Sequence, residues 1–266
     1  MRISHPQAAF QGVAPENVFF VANDQHVQMG TGYVIPFMQN EMYPERPLHL
    51  FLQIEAQPSA RALLYGALLA RAEQLKEQTP GLPVRLYSLV PPEDLDMMHF
   101  YESCGFQDDD GEDMYRFPLP QGYPRTPMGM QFASVPLQDE QSQMAFLNRI
   151  NQNRIQPFTR DHLTLWMQQQ HFMALGFYKN GLPVCECILT GTGPNVTLLM
   201  IYTKAEYRRQ GMATQLLESA FNLLRERGVT TVYTHIFRRH MPQMKLVQRF
   251  GGQYLRTVSA LPGIDL

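Results

Sequence analysis

The 266-residue chain is 44% hydrophobic and 17% charged and carries a net charge of −2, the composition of a globular protein able to bury one large or two ordinary cores. So small a net charge excludes a general attraction to nucleic acid or to an anionic lipid surface. No run of about 18 apolar residues is present to cross a bilayer.

Cys104, Cys185 and Cys187 make an odd count without metal-ligand spacing and read as reduced thiols. Residues 1–12 lack the apolar core of a signal peptide, so a cytoplasmic protein is expected. The histidines and acidic residues show no ligand spacing either, and no metal is expected.

In chain order, residues 18–22 and 27–37 read as strands joined by a turn at Asn23-Asp24-Gln25-His26, and 48–55 as a third strand. After Pro58 a helical period runs through Leu63, Leu64, Ala67, Leu68, Ala70 and Leu75, and stops at Thr79-Pro80-Gly81. Residues 84–90 form a fourth strand. Asp94 caps a short helix through Tyr101 that ends at Gly105, and 114–117 reads as the strand closing this half. The acidic run Asp108-Asp109-Asp110 reads as a solvated turn.

Residues 117–131 contain four prolines and two glycines, which block helix and sheet alike and mark a linker. The expected division is therefore 1–120, a linker at 121–131, and 132–266. The second half opens with helices at 138–150 and 159–170, the latter capped by Thr159. A hairpin of 172–179 and 183–190 turns at Asn180-Gly181, which supplies the positive φ angles of a tight primed turn. Residues 191–195 form a turn, since no third glycine completes a dinucleotide fingerprint.

Residues 196–202 are an apolar, β-rich strand, and beyond Gln210 the period becomes helical, with Met212, Leu216, Leu217, Ala220, Phe221 and Leu224 on one stripe. Between them lies Arg208-Arg209-Gln210-Gly211-Met212-Ala213. Small residues at 211 and 213, where a helix begins, let unpaired backbone N–H groups approach an anion, and the arginines add charge. A strand at 231–237, a helix at 242–250 and a strand at 253–260 complete the chain.

The hexapeptide has the form R-x-x-G-x-A and resembles the coenzyme A signature of the GNAT superfamily of N-acetyltransferases. The resemblance implies an α+β fold. Both halves share the order hairpin, strand, long helix, strand, short helix ending in Gly and final strand, so two tandem GNAT-like units are expected, each a mixed, mostly antiparallel twisted sheet flanked by helices. Laying 50–55 over 198–203 puts Ala60, Leu63 and Tyr65 at the positions of Arg208, Gly211 and Ala213. The first half is thus expected to be a degenerate copy, and coenzyme binding falls to the second.

The resemblance also implies that Ile201, Tyr202 and Thr203 run along the pantetheine arm of acetyl-CoA, with Arg208, Arg209, Gln210, Gly211, Met212, Ala213 and Thr214 around its diphosphate. It puts Tyr101 of the first half at the position often used as general acid, and Val247 at that position in the second. The family's glutamate base falls on Thr197. Candidate proton carriers are therefore Glu186, which faces either the cleft or a solvated strand surface, His235, and His240, which aligns with a family Asn. Tyr202 and Tyr233 are further donors, and Trp166 and Met167 candidates for lining an acceptor pocket. The implied activity is transfer of an acetyl group from acetyl-CoA to a small-molecule or peptide amine by a monomer or homodimer. The alternative is a non-catalytic coenzyme A sensor or scaffold.

Overall fold

The computed structural model describes every residue except 41–42, 120–121 and 153–156. The strands and helices of the first half are β1 (Arg2–Ser4), β2 (Val18–Ala22), β3 (Gln28–Met38), β4 (Leu48–Ala56), α1 (Pro58–Glu77), β5 (Val84–Tyr87), α2 (Leu95–Ser103) and β6 (Gly111–Pro118). Then come β7 (Gln131–Ser134), α3 (Glu140–Ile150), α4 (Arg160–Met167), β8 (Met173–Lys179), β9 (Leu182–Thr192) and β10 (Asn195–Thr203). The last are α5 (Met212–Glu226), β11 (Thr231–Phe237), α6 (Met241–Arg249), β12 (Gln253–Ala260) and β13 (Gly263–Asp265). Residues 120 and 121, at the start of the expected linker, lie outside the described residues. Among the described residues no helix is long and apolar enough to cross a membrane.

The chain divides into two compact units. One comprises Met1–Glu112, Phe237–His240 and Thr257–Leu266, the other Asp113–Ile236 and Met241–Arg256. Two mixed sheets result, in the α+β class expected from the sequence. The six-stranded sheet has the order β1-β2-β3-β4-β5-β13, and the seven-stranded sheet the order β12-β6-β11-β10-β9-β8-β7.

In the first unit α1 starts at Pro58, whose missing N–H costs nothing at a helix start. It buries Ala60, Leu64, Leu68, Ala72 and Leu75, one apolar stripe, against Leu50, Leu52, Ile54 and Val34 of the sheet. The Asp94 carboxylate accepts from the Met97 amide at 3.1 Å and caps α2, as its sequence suggested. In the second unit Asn180 and Gly181 turn the β8–β9 hairpin with φ of 51° and 76°, and α5 packs Leu216, Leu217, Ala220, Phe221 and Leu224 against that sheet.

Two expectations change. The strand expected at 114–117 to close the first half lies in the seven-stranded sheet, between β11 and β12. Phe117, 1% exposed, anchors it there against Phe221 and Phe250, and Arg116 bonds Gln253 at 2.6 Å. Beside β5 stands β13, a three-residue strand too short to register as a pattern.

The acidic run is not a solvated turn. Asp109 pairs with Arg85 and Arg239, Arg46 reaches Asp265 at 2.8 Å, and buried Asp110 accepts from the Tyr43 hydroxyl at 2.7 Å. Long-range arginines, invisible to local pattern, draw these carboxylates inward.

Beside them His49 is 4% exposed, ringed by Tyr43, Phe37 and Tyr87. Burial, with the cations of Arg85, Arg46 and Arg239, pushes its imidazole down from 6.5 to about 4. The unfolded chain therefore takes up this proton first, so the contribution is complete above pH 6.5 and is lost as pH falls toward 4. Burial raises the Asp110 carboxyl, which works in the opposite sense. Thermal unfolding of His49→Phe should show an acid destabilisation between these limits smaller by up to about 3 kcal/mol than the parent's. Superimposable pH profiles would refute the assignment.

Candidate functional site

The second unit holds the candidate site. β10 and β11 pair in parallel only through Asn195, Val196, Thr197 and Leu198 against Thr231, Val232, Tyr233 and Thr234. Beyond that point β10 continues to Thr203 and β11 to Phe237 without pairing. The strands part. On its other edge β10 pairs with β9 along its whole length, but the register slips between Leu198 and Met200, so Leu199 is a bulge residue. An extra residue on one strand bends it and strengthens its twist, which carries β10 away from β11 at the bulge.

The parting forms a cleft lined by Leu198, Leu199, Met200 and Ile201 on one side and by Thr234, His235 and Ile236 on the other. Phe117 and the α6 residues Gln243, Leu246 and Val247 complete the lining. At the apex the buried Thr234 hydroxyl donates to the Leu198 carbonyl at 3.2 Å and fixes where separation starts.

β10 leads directly to the arginine loop. A 3₁₀ turn at Ala205–Tyr207 is followed by exposed Arg208, Arg209 and Gln210. The Arg208 guanidinium donates through Nε to the Thr203 carbonyl at 3.0 Å, and the Gln210 amide to the Glu206 carbonyl at 2.9 Å, so the loop is tied to itself. Arg209 and Gly211 both have positive φ, 61° and 77°. At Gly211 a side chain would meet only the Gln215 amide at an ordinary 3.6 Å, so backbone conformation rather than space calls for glycine.

Gly211 caps α5 without a side-chain bond, and the first helical bond runs from Gln215 N–H to the Gly211 carbonyl. The amides of Met212, Ala213 and Thr214 therefore have no helix carbonyl to meet and carry the positive end of the dipole. A polyanion fits such a cradle.

The proton-carrier candidates separate. Glu186 is fully buried and held in a fork by Arg149, whose Nε donates at 3.0 Å and whose Nη2 donates at 2.8 Å to the two carboxylate oxygens. Tyr178 donates to it at 3.4 Å. Both carboxylate oxygens are thus occupied. His235 is exposed and lines the cleft. His240 lies before α6, its N–H bonded to the Phe237 carbonyl, and is not among the lining residues.

Ile201, Tyr202 and Thr203 are half-buried beyond the bulge, and only Ile201 of them lines the cleft. Tyr202 stands opposite Glu186 in the register. Trp166 packs edge-on to Phe158 and stacks on His162, while Met167 is exposed. Cys185 and Cys187 are buried, and burial pushes the Cys185 thiol up to about 12. Among the described residues no cluster of His, Cys, Asp and Glu is placed to hold a metal.

The first unit shares the parting, since β4 pairs with β5 in parallel only from Leu48–Val84 to Phe51–Tyr87 and runs on to Ala56, but it lacks the bulge and the loop. β3 and β4 pair continuously from Gly30–Ala56 to Met38–Leu48 without a bulge. Ala60, Leu63 and Tyr65 lie inside α1, which begins two residues after β4. Tyr101 is 1% exposed, and burial pushes its phenol up to about 12.

Sequence reasoning missed Arg149, Thr234 and Gln243. Gln243 alone left a signal, standing one helical turn before Val247 on the same face.

Residues 142–252 match the model of the acetyltransferase (GNAT) family. No curated protein sequence matches the chain. Its fold is similar to that of a GCN5-related N-acetyltransferase from Sphaerobacter thermophilus, at 18% identity and a TM-score of 0.51 over 96% of this chain and 82% of the other. A GCN5-related N-acetyltransferase from Anabaena variabilis gives 10% identity and a TM-score of 0.55, covering 95% of this chain and 63% of the other. A conserved Enterococcus faecalis protein gives 10% and 0.56, covering 92% and 61%. The chain thus spans less than two thirds of the length of the last two.

The Arg149–Glu186 pair yields a stability test. Arg149→Met strands a fully buried carboxylate and should cost about 3–5 kcal/mol in urea unfolding, whereas Arg149→Met with Glu186→Met should recover most of it. Equal losses in the single and double variants would contradict the pairing.

Proposed function

We propose that the chain, whose residues 142–252 match the acetyltransferase (GNAT) family, is an acyltransferase that transfers an acetyl group from acetyl-CoA to the amine of a small molecule or peptide. The observation carrying this reading is the parted β10–β11 pair running straight into the helix-start cradle of α5. A thioester with a long amide-bearing arm and a diphosphate matches that combination.

In this reading Ile201, Tyr202 and Thr203 present backbone groups to the pantetheine amides, which would pair along the free edge of β10 as another strand would. The amides of Met212, Ala213 and Thr214, with the backbone and charge of Arg208, Arg209, Gln210 and Gly211, hold the diphosphate. Placing the thioester at the bulge, beside an amine in the cleft, supplies much of the rate through positioning.

His235 takes the role of proton acceptor for the attacking amine, directly or through a water, since imidazole is the commonest side chain in this task. Glu186 has no such role because Arg149 occupies both its oxygens. It holds α3 to the sheet instead. The domain boundaries near 120 and 132 belong to the same proposal, with the coenzyme assigned to the second half alone. Free Cys104, Cys185 and Cys187 suit a reducing compartment.

The coenzyme assignment is tested by thermal shift. Acetyl-CoA at a hundredfold over its Kd should stabilise the parent protein by about 2.7 kcal/mol. Gly211→Trp, which costs about 1–2 kcal/mol at this left-handed backbone, should still fold and show no shift, because a bulky side chain covers the amides. Leu63→Trp, at an exposed site on α1, should shift like the parent. Loss of the shift in both variants would sink the one-competent-half reading.

A further inference from the structure

The departing thiolate is the unsolved part of this site. At the position where the resemblance implies a tyrosine acid stands Val247, 2% exposed and lining the cleft. It has no proton to give. On the same face of α6 one turn earlier, about 6 Å away along the axis, is Gln243, half-buried and lining the same cleft with Met200 and His235. No hydrogen bond engages its amide among the described residues. Its neighbours in the lining are mostly apolar: Leu198, Leu199, Ile201, Ile236, Leu246 and Val247. A neutral donor in an apolar slot interacts with a charge more strongly than it would in water.

We infer that Gln243 is a catalytic residue that stabilises the coenzyme A thiolate by donating a hydrogen bond from its side-chain amide to the sulfur. This rests on the acetyl-CoA reading above. The amine nitrogen attacks the thioester carbonyl carbon, the C–N bond forms and the C–S bond breaks. The amine's surplus proton goes to His235 or its water, and coenzyme A departs as an anion. Gln243 lowers the cost of that anion without transferring a proton, and the sulfur is protonated afterwards from solvent. Substrates and products balance as thioester plus amine giving amide plus thiol. The role differs from that of an acid: it needs no titrating group on α6, and it acts on the thiolate form alone.

That difference gives a test independent of the unidentified amine. Free coenzyme A is titrated bound to the purified protein, with thiolate formation followed by ultraviolet absorbance and affinity measured across pH. Acetyl-CoA, which has no thiol, serves as the control. Bound coenzyme A should ionise about one pH unit or more below free coenzyme A, a roughly tenfold preference for thiolate. Gln243→Leu should return the thiol to its free value while binding acetyl-CoA as the parent does. Gln243→Glu, which sets a carboxylate beside the sulfur, should move ionisation above the free value.

An unshifted thiol in the parent, or the same shift in Gln243→Leu, would overturn the role of Gln243 and leave the coenzyme site standing. Failure of the parent to bind either form of the coenzyme would overturn both, and the two failures are distinguished by the acetyl-CoA control.

Discussion

Parallel pairing between β10 and β11 ends at Leu198 and Thr234, and the bulge at Leu199 sits at that end. A strand in the middle of a sheet ordinarily has both edges satisfied. Here β10 keeps β9 on one edge through Thr203 while its other edge is released after four residues. The released stretch leads without interruption into the loop that starts α5. Backbone hydrogen-bonding capacity and helix-start amides therefore lie along one continuous path.

The first unit also releases its strand, β4 leaving β5 after Phe51 and Tyr87, so the contrast between the halves lies in what adjoins the released stretch. In the first unit the corresponding strand, β4, pairs with β3 in unbroken register, and α1 starts at Pro58 with no intervening loop. The helix has absorbed the residues that would cradle an anion. Glu186 and Asp109 are each met by arginine, Arg149 in one unit, Arg85 and Arg239 in the other. Such pairs compensate burial rather than add much net stability.

Much of this was legible in the sequence because it is local. The periodicities at 58–75 and 212–224, the caps at Asp94 and Thr159 and the Asn180-Gly181 turn each depend on neighbours within a few residues, and the structure has them. The loop at 208–213 was legible in the same way, and the α+β class came with the resemblance it carries. What was not legible is non-local. The strand at 114–117 carries an ordinary β pattern, and only the Phe117 contacts with Phe221 and Phe250, more than a hundred residues away, decide which sheet takes it. Arg149 and Glu186 are likewise joined only by folding. β7 and β13, at four and three residues, are too short to show a period.

In the proposed function one half of the chain holds acetyl-CoA and the other does not. Calorimetric titration of the purified protein with acetyl-CoA tests this most directly, because it reads stoichiometry along with affinity. One site per chain is the predicted result. Two sites per chain would contradict the claim and mean that α1 of the first unit accommodates a coenzyme despite its uninterrupted helix, and no saturable heat would leave the parted strands without their ligand.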